Sequence, residues 1–326
     1  MRLGRRALLG AGIGLGLAQA GRAAQPHWPG ALVMGTGQPG GTFATFGPAW
    51  GELTKSATGI DIAYRATGGS SANLLLIEQG SAQLGLSSVA VAAQARAGTG
   101  SWTAGVKLED FRALFPAYPS VLQIISTGAT GISTLAGLDR QSIGVGPDGA
   151  SGAAAVKDIL ASIGVHPGRI ETGDYEQQML KLLTGKLEAC AFLGAPPLPA
   201  ITAAAMGRKL ALIGFSPAEA AQVGRVMPGL SRMILPAGTF PGQSVDVGSV
   251  GTLNIAIGAA SLPDSLAQAI TAAALKNWHM LGGAVPAAAS LPAIAPVYDA
   301  GISFHPGAAR ALHDAGIHLP RRAVQG

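Results

Sequence analysis

The stretch that most constrains this chain begins with a short apolar run, Ala31-Leu32-Val33-Met34. It ends in the loop Gly35-Thr36-Gly37-Gln38-Pro39-Gly40-Gly41-Thr42, after which Phe43, Phe46, Trp50 and Leu53 recur at three- and four-residue spacing. The run reads as a strand and the periodic stretch as an amphipathic helix. Thr42 reads as the helix N-cap, its hydroxyl placed to accept from the orphan N–H groups of the first turn. Strand end, glycine loop and helix start together form a concave patch of backbone donors, suited to an anion or a polar small molecule. The unit then repeats. Ile60 to Thr67 reads as a strand, Gly68-Gly69 as the loop, Ser70 or Ser71 as the cap and Asn73 to Glu78 as a helix ended by Gly80, before a strand that starts at Gln83–Leu86. A single loop of this kind can be a mere turn. Two of them at the carboxyl ends of neighbouring parallel strands point into one crevice.

The rest of the chain alternates in the same way. A helix is expected from Val89 to Arg96 and a strand at Phe111–Phe115; Pro116 and Pro119 then interrupt, and Val121–Ser126 starts a new strand that enters a second lobe. There the strand Ser142–Val145 leads into Gly146-Pro147-Asp148-Gly149-Ala150-Ser151-Gly152, and a helix bearing Ala155, Ile159, Leu160 and Ile163 closes at Gly164. A strand end and helix within Glu171–Leu183 and strands at Glu188–Leu193 and Lys209–Ile213 continue the βα pattern of a parallel sheet. Leu230–Leu235 is the expected return strand, with the crossing near Pro236. Val250–Ile257 is strand-like, Pro263–Leu281 one helix, and His305-Pro306-Gly307-Ala308 opens the last helix. The expected organisation is a discontinuous first lobe, 28–118 plus 236–326, and a second lobe, 119–235.

With 326 residues, 48% of them hydrophobic, the chain can bury one large core or two medium ones. The formal charge of +5 would fall to about +1 without the four leader arginines Arg2, Arg5, Arg6 and Arg22. No basic run or basic-aromatic stripe remains, so nucleic acid is not an expected partner. Residues 1–24 read as an export signal: arginines, an apolar stretch from Ala7 to Leu17, then small residues. That stretch is too short and too broken by glycine to span a bilayer. The expected address is the periplasm, with the Sec and twin-arginine routes both open. Cys190 is the only cysteine, so an intrachain disulfide is impossible, and its apolar neighbours imply a buried packing role.

The chemistry expected of the crevice is binding, not catalysis. The six histidines show no metal-ligand spacing, and there is no nucleophile elbow, Walker loop or Cys-x-x-Cys pair. No catalytic residue, metal or cofactor is therefore expected. Gly35-x-Gly37-x-x-Gly40 fits the dinucleotide fingerprint formally, but its acidic follower, Asp61, falls inside a strand instead of at its end. The residues expected to face a ligand are Thr36, Gly40, Gly41 and Thr42 from the first loop and Gly69, Ser70, Ser71 and Asn73 from the second. Ser87 and Ser88 after the third strand, and Gly149, Ala150, Ser151 and Gly152 from the second lobe, complete the set. Asp148 is open to two readings, an ordinary turn residue or an acceptor for a ligand amine or hydroxyl.

Gly35-Thr36-Gly37 with Gly40-Gly41-Thr42, Thr67-Gly68-Gly69-Ser70 with Asn73-Leu74, and His305-Pro306-Gly307-Ala308 together resemble the TAXI family, the extracytoplasmic solute receptors of TRAP-type transporters. The resemblance covers nearly the whole chain after the leader. It implies a type II periplasmic binding protein-like α/β fold, with two lobes of parallel-rich sheet joined by two crossover segments. It also implies a small-molecule solute, a carboxylate or amino acid, and a TRAP-type permease as partner. The rival expectations are a periplasmic sensor and an enzyme on the same fold. The sequence departs from the family's Gly-Ser-Gly-Thr at Gly149-Ala150-Ser151-Gly152, from its Gln-x-Asp at Ser88 and Ala90, and from its tyrosine at Phe43. These departures leave a less polar ligand open.

Overall fold

The computed structural model describes residues 28–324; the expected export signal, 1–24, lies outside them. The first glycine-loop unit is strand β1 (Ala31–Gly35) and helix α1 (Thr42–Thr58), followed by β2 (Asp61–Arg65), α2 (Ser70–Glu78), β3 (Leu84–Ser88) and α3 (Val89–Ala97). β1 pairs in parallel with both β2 and β3, so the loops after these strands share one edge of the sheet, as expected. α1 buries Phe46, Trp50 and Leu53 at the predicted helical spacing. Gly35 and Gly85 are partners across β1 and β3, and the slot left by their missing side chains is filled by the fully buried Asn73.

The prolines do not break the next strand. β4 (Phe111–Thr127) runs continuously through Pro116 and Pro119, where its ladder with a later strand shifts register. A bulged pair accommodates residues that cannot donate to the ladder, and the strand continues. Beyond it come β5 (Ser142–Gly144), α4 (Ser151–Ser162), β6 (Arg169–Glu171), α5 (Tyr175–Leu183) and β7 (Ala189–Gly194). Helix α6 (Pro199–Gly207), β8 (Leu210–Leu212), helix α7 (Pro217–Val226) and β9 (Ser231–Leu235) follow. Two of these helices are not evident in the hydrophobic pattern: α6 is nearly all small apolar residues, and α7 is set by a capping box in which Ser216 and Glu219 bond each other's backbone.

The return to the first lobe is made by β10 (Val247–Ala259), not by the expected Leu230–Leu235 strand. β9 lies antiparallel along only the first residues of β10, from Val247 to Gly251. The sheet order is β2-β1-β3-β10-β4-β7-β5-β6, with β8 beside β4 and β9 beside β10. Parallel strands stand at both ends, and the long antiparallel pair β4 and β10 joins them. One apolar core gathers β1–β3, Phe111–Tyr118 of β4 and Leu253–Ala259 of β10; a second takes Leu122 and Ile124 of β4 and Val250 of β10. Both strands therefore pass from one core to the other, near Ser120 and Thr252.

The stretch expected as one helix from Pro263 is two, α8 (Asp264–Lys276) and α9 (Trp278–Ala284), separated at Asn277. A short α10 (Ala295–Asp299) precedes α11 (Pro306–Asp314), which His305 caps as its phrase implied. His305 is buried: Nδ1 accepts from the Gly307 N–H at 3.2 Å, so Nε2 carries the proton to the Leu262 carbonyl at 3.1 Å. Among the described residues no helix is long and apolar enough to cross a membrane.

Cys190 on β7 is fully buried, with its thiol towards the Gln178 carbonyl at 3.5 Å. Burial pushes its pKa up to about 12. Thiolate is the reactive form. The native protein should therefore leave an aromatic disulfide reagent unreacted at pH 8, and titrate one thiol per chain in denaturant. Rapid labelling of the native protein would contradict this packing.

Candidate functional site

The loops after β1, β2 and β3, the start of α4, and the crossing strands β4 and β10 surround one cavity of about 100 Å³. Three helix N-termini approach it, and the two with an expected cap, α1 and α2, are capped otherwise. Gly41, Gly69 and Ala150 occupy the N-cap positions, so Thr42, Ser70 and Ser151 are each the first helical residue. A hydroxyl there no longer sits where it can accept from the helix's own first turn. The Ser70 hydroxyl accepts instead from the Ser88 N–H at 2.9 Å, tying α2 to the end of β3. Ser88 is itself a true cap, accepting from Val91 N–H at 3.3 Å on α3.

The second-lobe loop meets the first lobe directly. The Ser151 N–H donates to the Gly68 carbonyl at 2.9 Å, and the Ser151 hydroxyl accepts from the Ser71 N–H at 3.1 Å. The two hydroxyls are 3.0 Å apart. One first-turn N–H of α2 and one of α4, those of Ser71 and Ser151, thus bond protein acceptors across the crevice.

Of the residues expected to face a ligand, Gly41, Thr42, Gly69, Ser70, Ser88, Ala150, Ser151 and Gly152 line the cavity. Gly40 lies on a neighbouring small cavity beside Pro196 and Pro197. Asp148 is exposed, and neither it nor Gly149 lines the main cavity. Ser71 serves the bridge just described. Thr36, Asn73 and Ser87 lie beneath the loops. The Thr36 hydroxyl donates to the Arg65 carbonyl, and the Ser87 hydroxyl to that of Ser88. Asn73 Nδ2 donates to the carbonyls of Thr36 and Leu86 at 2.9 and 2.8 Å. These residues shape the loops from inside.

The sequence reading missed the floor and the apolar walls. Tyr118 and Ser120 on β4, and Thr252 and Asn254 on β10, form the floor; Phe43, Val91, Tyr175, Leu193 and Leu198 line the sides. Asn254 Nδ2 donates to the Tyr118 carbonyl at 3.0 Å and the Ser120 hydroxyl at 2.8 Å, while the Thr252 hydroxyl accepts from Ala90 N–H. The Tyr118 ring packs against Phe46 and Phe43, with centroids 5.0 and 6.4 Å away. Its hydroxyl is buried without a hydrogen-bond partner among the described residues, and burial pushes its pKa well up. Burial, reinforced by the charge of Glu176, raises the Tyr175 hydroxyl to about 12, so both phenols are neutral donors at physiological pH. The proline-flanked position of Tyr118 was the available signal, since a strand passing between lobes must run under the crevice.

Among solved structures, the chain is similar to one described as a periplasmic transporter, at 12% identity and TM-score 0.55, covering 83% of this chain and 91% of that one. It is also similar to the periplasmic binding protein BugD, at 13% identity and TM-score 0.52, covering 90% and 99%. Such likeness speaks to the fold, a periplasmic binding protein-like α/β arrangement with two crossing strands. The sequence matches the NMT1-like family over residues 34–316, and the chain belongs to that family.

Proposed function

We propose that this protein is an extracytoplasmic solute receptor that closes on a small organic molecule and delivers it to a TRAP-type permease. The observation that carries this is the cavity where loops of both lobes meet over the crossing strands, bridged by Ser151. We read the lobes close to the sequence expectation of 28–118 with 236–326 and 119–235, except that residues 236–251, with Phe240 and Val250 in the second-lobe cores, stay with the second lobe until the crossing in β10. Two connecting strands allow the lobes to rotate about the crossings near Ser120 and Thr252. Family membership and the periplasmic character of the similar structures support a receptor working in the periplasm. The TRAP assignment rests on the loop phrases at Gly35–Thr42 and Thr67–Asn73 and on His305–Ala308. The cavity lining supports capture over turnover, because it offers hydroxyls and amides but no carboxylate, imidazole or thiol to serve as base or nucleophile.

A thermal-shift screen of small acids, amides, amino acids and aromatics should identify a ligand by mass-action stabilisation. Small-angle scattering of the protein with that ligand should then show a smaller radius of gyration. An unchanged radius at saturation would overturn capture by closure.

A further inference from the structure

The crevice holds more room than the main cavity. A second cavity, of about 90 Å³, lies on the other side of the α1 start, and Gly41 and Thr42 line both. On the facing lobe the two cavities share one segment and alternate along it. Gly194 and Leu198 line the main cavity, whereas Ala195, Pro196, Pro197 and Pro199 line the second. Among the described residues no hydrogen bond runs between residues 40–45 and 194–199, so nothing polar holds the partition shut. On its first-lobe side the second cavity is walled by Ala284, at the end of α9, and by Val285, Pro286 and Ala287 just beyond it. Both lobes therefore build it, and it exists as a cavity only when they are together.

The two compartments differ in chemistry. The main cavity offers the hydroxyls and amides of Ser70, Ser88, Ser120, Thr252 and Asn254. In the second, the only polar side chains are Thr42 and Thr45, and four of its residues are prolines, which have no N–H to donate. A charged group placed there would lose its water without finding a partner, whereas an apolar group gains by burial. Size points the same way. The main cavity, at about 100 Å³, is smaller than the ~150 Å³ that holds benzene. A larger solute extends beyond it, and the Gly41–Thr42 ledge leads into the second compartment.

We propose that the two cavities are compartments of one solute site, which takes an elongated molecule with its polar head in the main cavity and a short apolar arm in the second. This rests on reading the crevice as the solute site, and extends it. The arm is the new element, and it holds for a carboxylate and a carboxamide head alike.

The test is calorimetry on the purified protein with alkanoates and alkanamides of three to six carbons, and with adipate and 6-aminohexanoate, whose far ends are charged. In at least one series affinity should rise about fourfold per added methylene, the worth of burying one. Adipate and 6-aminohexanoate should bind at least tenfold more weakly than the six-carbon member of that series. Thr45→Phe brings a ring into the second cavity from an exposed position on α1. Circular dichroism should show it folded, and the ratio of six-carbon to three-carbon affinity should fall about tenfold. A flat series, or tighter binding of adipate or 6-aminohexanoate, would overturn the apolar arm; compaction in scattering with any of these solutes would leave solute capture standing. No binding by either series would overturn the proposal, and solute capture would then rest on the thermal-shift screen. An unchanged ratio in folded Thr45→Phe would take the second cavity out of the site.

Discussion

Gly68→Ala should give a protein that folds normally but does not close on its ligand. Gly68 is not among the glycines with left-handed φ, whereas its neighbour Gly69 is, at φ +97°. An alanine at 68 therefore meets no backbone strain of its own. What it meets is the opposite lobe: a Cβ there would run into the Gly149 carbonyl oxygen. That is a backbone atom held by its own loop, and the same approach is fixed by the 2.9 Å bond from Ser151 N–H to the Gly68 carbonyl. Once the lobes separate, the methyl group faces solvent. The unliganded variant should melt within the ~0.5 kcal/mol typical of harmless surface changes. Its ligand affinity should fall about a hundredfold, roughly 3 kcal/mol, because the closed state bears the whole clash. Scattering should show the variant extended at ligand concentrations that compact the parent. Ser151→Ala is the milder control, since it loses the hydroxyl contacts to Ser71 but keeps the Ser151 N–H bond. A Gly68→Ala protein that binds and compacts like the parent would take the loop contact out of the mechanism.

The paired strand–glycine loop–helix units were legible because they depend on local chemistry. Apolar runs, glycines and helical spacing placed β1, α1, β2 and α2 within a few residues, and the parallel register of β1 with β2 and β3 followed. The caps expected at α1 and α2 were misplaced. Glycine or alanine takes the cap, and the hydroxyl next to it is recruited by a neighbouring segment, as Ser70 is by Ser88 and Ser151 by Ser71. No spacing rule within a helix reveals a partner that lies in another loop. The crossing strands were hidden for a related reason. Pro116 and Pro119 signal a break in an isolated strand, yet the register shifts with β10 absorb them. Tyr118 and Asn254, far apart in sequence, come together only through that long-range pairing. The polar floor of the cavity was therefore beyond a residue-by-residue reading, while its rim was not.

Asn73→Asp should be the most damaging conservative change at the site, although Asn73 does not line the cavity. The side chain is fully buried in the slot between Gly35 and Gly85, and a Cβ on Gly35 would collide with its Oδ1. Its NH₂ group bonds two backbone carbonyls, Thr36 at the first loop and Leu86 on β3, while Oδ1 lies 2.7 Å from the Thr67 hydroxyl at the second loop. One amide thus joins both glycine loops to the sheet. Aspartate has nearly the same shape but replaces the two donors with an acceptor facing two carbonyls. Ionised, it would be a buried charge opposed by dipoles, at a cost of about 3–5 kcal/mol at neutral pH. For a chain of this size that is a drop of roughly 5–8 °C in melting midpoint. Burial should raise the folded-state pKa of this carboxyl above its unfolded value of about 3.9. The folded form then binds the proton more tightly than the unfolded one, so the deficit relative to the parent should be smallest below about pH 4 and grow as pH rises through the folded-state pKa. Asn73→Leu removes the same bonds without a charge, and its deficit should not vary with pH. Denaturant unfolding of the three proteins between pH 4 and 8 separates the two effects. An Asn73→Asp deficit that is flat with pH, or no larger than that of Asn73→Leu at pH 7, would mean that the slot relaxes to admit water and that the loops are not held together by this amide.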